Sequence, residues 1–449
     1  MSASDFTLPR HPGVPDETNG SSVTTPKSCN PSSRFDARIK HGSQTLSMDI
    51  QLCGYHLDHI ESYGGRERVR VLHCLDYYAN FCGPNYVWRN EAIATGSIQH
   101  FAQDFFQLSL ATPALLETVL AICQADLDLR HQSCRTPSMR VLQHLTTALG
   151  LLQQRILSAD LTDDKSIAAT IVGLITIDTI FEDWPSYHVH LKYLRALLVL
   201  RGGAESLGWQ GWFAYAYSWA ELRWAAQLAH KAMADTTESF PGDQFEDDVR
   251  PLHADYFLPR EELPMGFQEL VDLGLLHGSI VGLLEKTAGW VSCTVSDYNG
   301  LSPGGLNIRG LALARDFASI IHSCPESQLE VLLCIAMVAY IISLIEGPGG
   351  HSRGLEDLTA NLQLFDLRTF DMPFRLWAAS AVAAANPTVP SPLPHRWTLI
   401  DQVMTLGVSV ETWPEAVTVF NKFFFCQHDE KQWENCWNAA LARNASYTS

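Results

Sequence analysis

From Arg66 to the end of the chain, apolar residues recur at steps of three and four, and neither the strict alternation of a half-buried strand nor a hairpin signal interrupts them. A chain patterned this way buries one stripe of each segment against other helices, so it predicts an all-α fold, a large multi-helix bundle of one large or two packed helical lobes. Length allows either. At 449 residues the chain exceeds the size at which one compact core stops growing.

The segments can be read off in order. Arg66 to Cys82 places Val69, Leu72, Leu75, Ala79 and Cys82 on one stripe and stops at Gly83-Pro84. Thr112-Pro113 has a hydroxyl N-cap and a proline at the first helical position. Leu115, Leu116, Val119, Leu120, Cys123 and Leu127 then form a buried face. Thr136-Pro137 repeats the start signal before Leu142, Leu145, Leu149, Leu152 and Ile156. Asp163-Asp164 introduces Ile167 to Phe181, apolar all round and therefore central. After Trp184-Pro185, His188 to Arg201 closes at Gly202-Gly203, and the very aromatic Trp212 to Leu228 follows.

Periodicity fails between Thr236 and Pro264, where eight carboxylates face Arg250 and Arg260; a solvated loop separating the lobes 66–235 and 264–449 is the reading. The second half predicts helices near Phe267–Leu284, Ile308–Ser323, Gln328–Ile345, Leu355–Leu364, Phe374–Ala385, Trp397–Leu406, Pro414–Phe424 and Glu430–Ala442. Residues 1–46, rich in Ser, Thr, Pro, Asn and Gly, predict a disordered tail before the helical domain 47–449.

Charge narrows the function. Lys plus Arg number 31 against 49 Asp plus Glu, a net −18, and no Lys/Arg run of five occurs. Phosphate backbones are held by cations, so this balance disfavours direct DNA binding. The start lacks a secretory signal, which predicts an intracellular protein. Val331–Ile345 falls short of the roughly 20 apolar residues that span a bilayer, so it predicts a core helix and no membrane. Eleven cysteines with no Cys-x-x-Cys read as reduced, buried small hydrophobes.

Three stretches carry a resemblance. They are Thr112–Leu127; His190-Leu191 leading to Leu200-Arg201-Gly202-Gly203; and Leu376–Ala385 followed by Trp413, Phe420, Trp433 and Trp437. Their order over about residues 66–442 resembles the fungal-specific transcription factor domain, the helical regulatory region downstream of binuclear zinc clusters. The resemblance makes His190, Arg201, Gly202 and Gly203 signature structural residues. It implies a nuclear regulator or co-regulator of transcription, working through a helical domain that binds other proteins (a DNA-binding partner or a second copy) and a small-molecule effector. The family's six-cysteine DNA reader is missing, since Cys29 and Cys53 stand alone. Either an upstream exon carries that reader or the protein acts without it.

No catalytic, cofactor or metal site is expected. Cys53, His56 and His59 share a helical face but lack a fourth ligand, so they read as polar residues at a domain edge. His188 and His190 point about 200° apart on a helix and do not share a metal. Glu182-Asp183-Trp184 with His188 reads as a solvated turn with the Trp over a helix end, against an acid–base pair. Gly347–Gly354 lacks the Gly-Lys-Ser/Thr ending of a phosphate loop, and Asp163-Asp164 and Asp247-Asp248 lack a third aspartate for diphosphate.

The aromatic helix offers two uses. Its rings fill the core, or they wall a ligand pocket of Trp184, His188, Trp212, Tyr215 and Trp219. The second use also admits an alternative function, a pathway enzyme with a repurposed aromatic cavity.

Overall fold

The computed structural model describes residues 63–87, 98–132, 136–158, 165–208, 211–234, 262–295, 303–323, 327–346, 365–385, 395–406, 410, 412–426 and 430–448. The 1–46 tail, Cys53-His56-His59, Asp163-Asp164, nearly all of the acidic loop, and the predicted helix Leu355–Leu364 lie outside them. The described residues fold as an all-α protein of 15 α-helices without strands.

The first seven are α1 (Gly65–Tyr77), continued by a π-helical Tyr78–Val87, α2 (Ile98–Ala111), α3 (Pro113–Gln132), α4 (Met139–Ser158), α5 (Lys165–Phe181), α6 (Trp184–Leu200) and α7 (Trp212–Ala234). Then come α8 (Met265–Asp272), α9 (Gly278–Val295), α10 (Pro303–Ser323), α11 (Gln328–Glu346), α12 (Met372–Ala384), α13 (His395–Thr405), α14 (Trp413–Phe420) and α15 (Glu430–Thr448).

In the first half, α3 holds α1, α2 and α4, and α5 packs against α3, α4, α6 and α7. That surrounded position suits the all-round apolar sequence of α5. The α3–α5 approach is close enough that a Cβ on Gly173 would lie 2.5 Å from Thr118 Cγ2. Thr118 and Thr170 are both buried, and each satisfies its hydroxyl on the carbonyl four residues back.

Across the halves, α7 packs along α10, which in turn holds α9 and α11, so one apolar core runs through both. Gly310 of α10 lets Trp290 and Ile345 close over it; a Cβ there would meet Trp290 Cζ2 at 2.5 Å. α11 is long and apolar enough to cross a membrane, but 78% of its 18-residue apolar window is buried in the fold. The closing helices α12 to α15 enclose a ring cluster of Phe267, Trp377, Phe423, Phe424, Phe420, Trp433 and Trp437.

Three local expectations need correction. The segment expected as one helix from Phe267 is two: Gly274 takes φ +67 between α8 and α9. Leu273 and Leu275, which made the periodicity look continuous, are exposed. The stripe of α1 is rotated, burying Val71, Cys74, Leu75, Tyr78 and Cys82 while Val69 and Leu72 face solvent. α2 was not expected at all.

Candidate functional site

The site begins with how α5 turns into α6. α5 ends at Phe181, Glu182 takes φ +57, and the Asp183 N–H bonds the Asp178 carbonyl at 2.9 Å. Asp183 then caps α6, its carboxylate accepting the Ser186 N–H (3.2 Å) and hydroxyl (2.8 Å), with Pro185 in the first turn. This hairpin lays the first turns of α6 beside the last turns of α5. Asp178 Oδ2 and His190 Nδ1 thereby meet at 2.6 Å, both almost buried. At its far end α6 stops on a Schellman pair. The Gly202 N–H bonds Val199 O and the Gly203 N–H bonds Leu198 O, with both glycines at positive φ.

α4 reaches the same place from the other side. It buries Val141, Ala148 and Leu152, while Leu149 and Ile156 stay half-covered. The reason is a cleft between α4 and α6, floored by Ile167 and Ile171 of α5. Leu149, Leu152, Ile156, Tyr193, Leu197 and Leu200 wall it, and His190 brings the imidazole to it. The free space inside is about 60 Å³.

Three further buried carboxylates stitch the same helices. Glu117 of α3 accepts from the Tyr63 hydroxyl and pairs with His144 Nδ1 of α4 at 2.6 Å. Burial, with the Glu117 carboxylate beside it, raises the Tyr63 pKa. Asp126 accepts from Tyr77 Oη (2.5 Å) and Arg130 Nε (2.8 Å), and burial plus that carboxylate raise Tyr77. Glu221 of α7 takes a two-pronged bond from Arg195 of α6, at 2.6 and 2.7 Å. Burial opposes the Arg195 charge, yet Glu221 and Tyr217 together outweigh it and raise its pKa. Such forked pairs fix direction as well as distance.

The five residues of the expected aromatic pocket distribute as follows. Trp184 lies on Tyr187 of its own helix (5.3 Å between rings), and His188 lies on Trp224 of α7 (4.6 Å), at the α6–α7 seam. Trp212 is buried against Phe105 and Phe213. Tyr215, buried, meets Trp219 at 6.4 Å. His188 and His190 leave α6 toward different neighbours, α7 and α5. Glu182-Asp183-Trp184 forms a helix start. Among the described residues no group of three His, Cys, Asp or Glu side chains is placed to hold a metal.

Asp178 is the residue that sequence reading passed over. Its signal was a lone carboxylate near the end of an otherwise apolar helix, with a histidine twelve residues on.

Residues 73–233 match the sequence model of a family described as the fungal specific transcription factor domain. Over that segment the chain is similar to this domain. Its boundaries run from α1 to α7 and hold the cleft and all four of the buried carboxylates named above. The tail motifs around Leu376, Trp413 and Trp437 lie beyond the matched segment. No curated protein and no solved structure matches the chain. The domain's family assignment points to transcription regulation.

Proposed function

We propose that this protein is a transcriptional regulator or co-regulator whose helical body binds an effector or a partner protein, and that a partner supplies its contact with DNA. The observation that carries the reading is the domain match over residues 73–233. The net charge of −18 supports an indirect route to DNA, because an acidic surface repels phosphates. Regulation then works by population shift: an effector that binds one packing of α3 to α7 better than another moves the body toward it. The buried carboxylates and their partners suit that role, since each such contact joins two helices and is lost or kept as a unit. The nucleus is the compartment this reading requires.

The test has two arms. Deleting the gene in the organism that encodes it is expected to change a defined set of transcripts, and the tagged full chain is expected to crosslink to chromatin at those loci. Purified chain alone is expected to bind duplex DNA weakly and without sequence preference. An unchanged transcript profile overturns the regulatory reading, and tight sequence-specific DNA binding by the chain alone overturns the partner-borne contact.

A further inference from the structure

The cleft between α4 and α6 is walled by aliphatic side chains with Gln153 and Tyr193, and His190, held by Asp178 from behind, lines it. The Asp178 carboxylate only accepts hydrogen bonds, so it takes the proton of His190 Nδ1. In its neutral form an imidazole held this way presents Nε2 as a lone pair, and the carboxylate fixes both tautomer and ring direction. The one hydrogen bond of His190 among the described residues is to Asp178. Its side chain is 12% exposed and lines the cleft, so Nε2 is a recessed acceptor at the end of an apolar recess.

A recess of this kind is how proteins hold small apolar ligands: greasy walls give affinity and one placed polar atom gives orientation. Its free space, about 60 Å³, is several times what a single water occupies, and too small for a folded segment of another chain. Leu157 and Leu200, both at the cleft and more than 60% exposed, form an apolar lip for whatever protrudes.

We propose that this cleft is a binding site for a compact apolar molecule bearing one phenol-type hydroxyl. The ring lies on Ile167 and Ile171, and its hydroxyl donates to His190 Nε2. Asp178 acts as a positioning residue that keeps the acceptor lone pair aimed at the cleft. The site lies inside the transcription factor domain, and the name "effector site" rests on the regulatory reading above; the binding itself does not.

The probes are 4-propylphenol and propylbenzene, which differ by the hydroxyl alone, titrated calorimetrically into the purified full chain. A hydrogen bond of ordinary net strength predicts that the phenol binds roughly tenfold tighter. Ala196→Trp, which puts an indole into the cleft from a solvent-facing position, is expected to abolish binding of both. His190→Phe is expected to bring the phenol down to the affinity of propylbenzene and leave the latter unchanged. Should His190→Phe fail to fold by circular dichroism, the wild-type probe pair and Ala196→Trp still decide. Equal binding of the two probes, no binding of either, or binding that survives Ala196→Trp overturns the proposal. Failure of the titration with transcripts still responding sinks the site alone; normal titration with unchanged transcripts sinks the regulatory reading alone.

Discussion

The two halves of this protein fill one core with different chemistry. Among the described residues, the buried carboxylates Glu117, Asp126, Asp178 and Glu221 all lie before Ala234, and each is met by a side chain from another helix. After Met265 the buried polar side chains are Thr287, Ser343, Ser380 and Gln432, all neutral, and rings do the joining. The contrast teaches where a bundle is adjustable. An apolar contact weakens by degrees as it loosens, whereas a buried charge without its partner is strongly unfavourable, so helices joined by ion pairs favour discrete arrangements. The half that matches the regulatory domain is the half built this way.

The largest effect is expected in the ring cluster. Trp377 is fully buried between Phe267 and Phe423, and its indole N–H donates to the Phe424 carbonyl at 2.8 Å. Trp377→Ala should lower unfolding free energy in urea by about 3–5 kcal/mol. No compensating second substitution is expected to restore it.

In the domain half, Glu221→Leu should cost about as much, roughly 3–5 kcal/mol, by leaving Arg195 buried and unpaired. The difference between the halves shows in the double variant: Arg195→Met with Glu221→Leu should recover most of that loss. If urea melts of the double variant add rather than compensate, the ion pair is not the unit that joins α6 to α7.

Gly173→Ala is expected to cost about 1–3 kcal/mol, because its Cβ would overlap Thr118 Cγ2. Thr118→Ser, which removes that methyl and keeps the hydroxyl on Ala114 O, should relieve part of it, and thermal melts of the pair would show the coupling.

The smallest effect is common to both halves. Burial pushes the Cys74 thiol to about 11 and the Cys436 thiol to about 12, from an ordinary 9.0. A raised folded-state pKa means the unfolded chain loses its proton first, so stability is intact below about pH 9 and falls as pH rises toward 11 and 12. Melting temperature should therefore drop across this window, and Cys436→Ala should flatten the drop without altering the neutral-pH shape of the core. An alkaline profile identical in the variant removes Cys436 from the account.

Much of the fold was legible because helical spacing is a local signal. What escaped was set by contacts distant in sequence. The stripe Val69–Leu72–Leu75 looked as good as the one through Val71, Cys74 and Tyr78, and only packing on α3 decides between them. Leu273 and Leu275 carried an apolar rhythm across Gly274 although both face solvent. α2 escaped, although Ser97 offers an N-cap hydroxyl just before Ile98, because glutamines dilute its apolar face. At the site, His190 stood out as part of a motif, but its partner Asp178 was masked by the apolar helix around it. Of the aromatic residues expected beside a pocket, Trp212 and Tyr215 are buried. Large rings at helical spacing announce burial, and spacing alone does not say whether the space beside them is empty.

The burial of α11 has a consequence for synthesis. This helix gets its cover from α10, already made, and from α12, which begins 26 residues after α11 ends (372 against 346). At ribosomal speeds of about 5–20 residues per second, α12 takes about 1–5 seconds to begin and the last closing helix roughly 5–20 seconds to finish. Throughout that interval the most apolar of the described helices lacks part of its wrapping, and it is long and apolar enough to cross a membrane. A nascent chain stalled just past Glu346 should therefore crosslink to chaperones or targeting factors more strongly than one stalled after α7. Equal crosslinking would mean that α10 alone shields it. Correct folding of this protein begins as a race between a helix and its own unfinished tail.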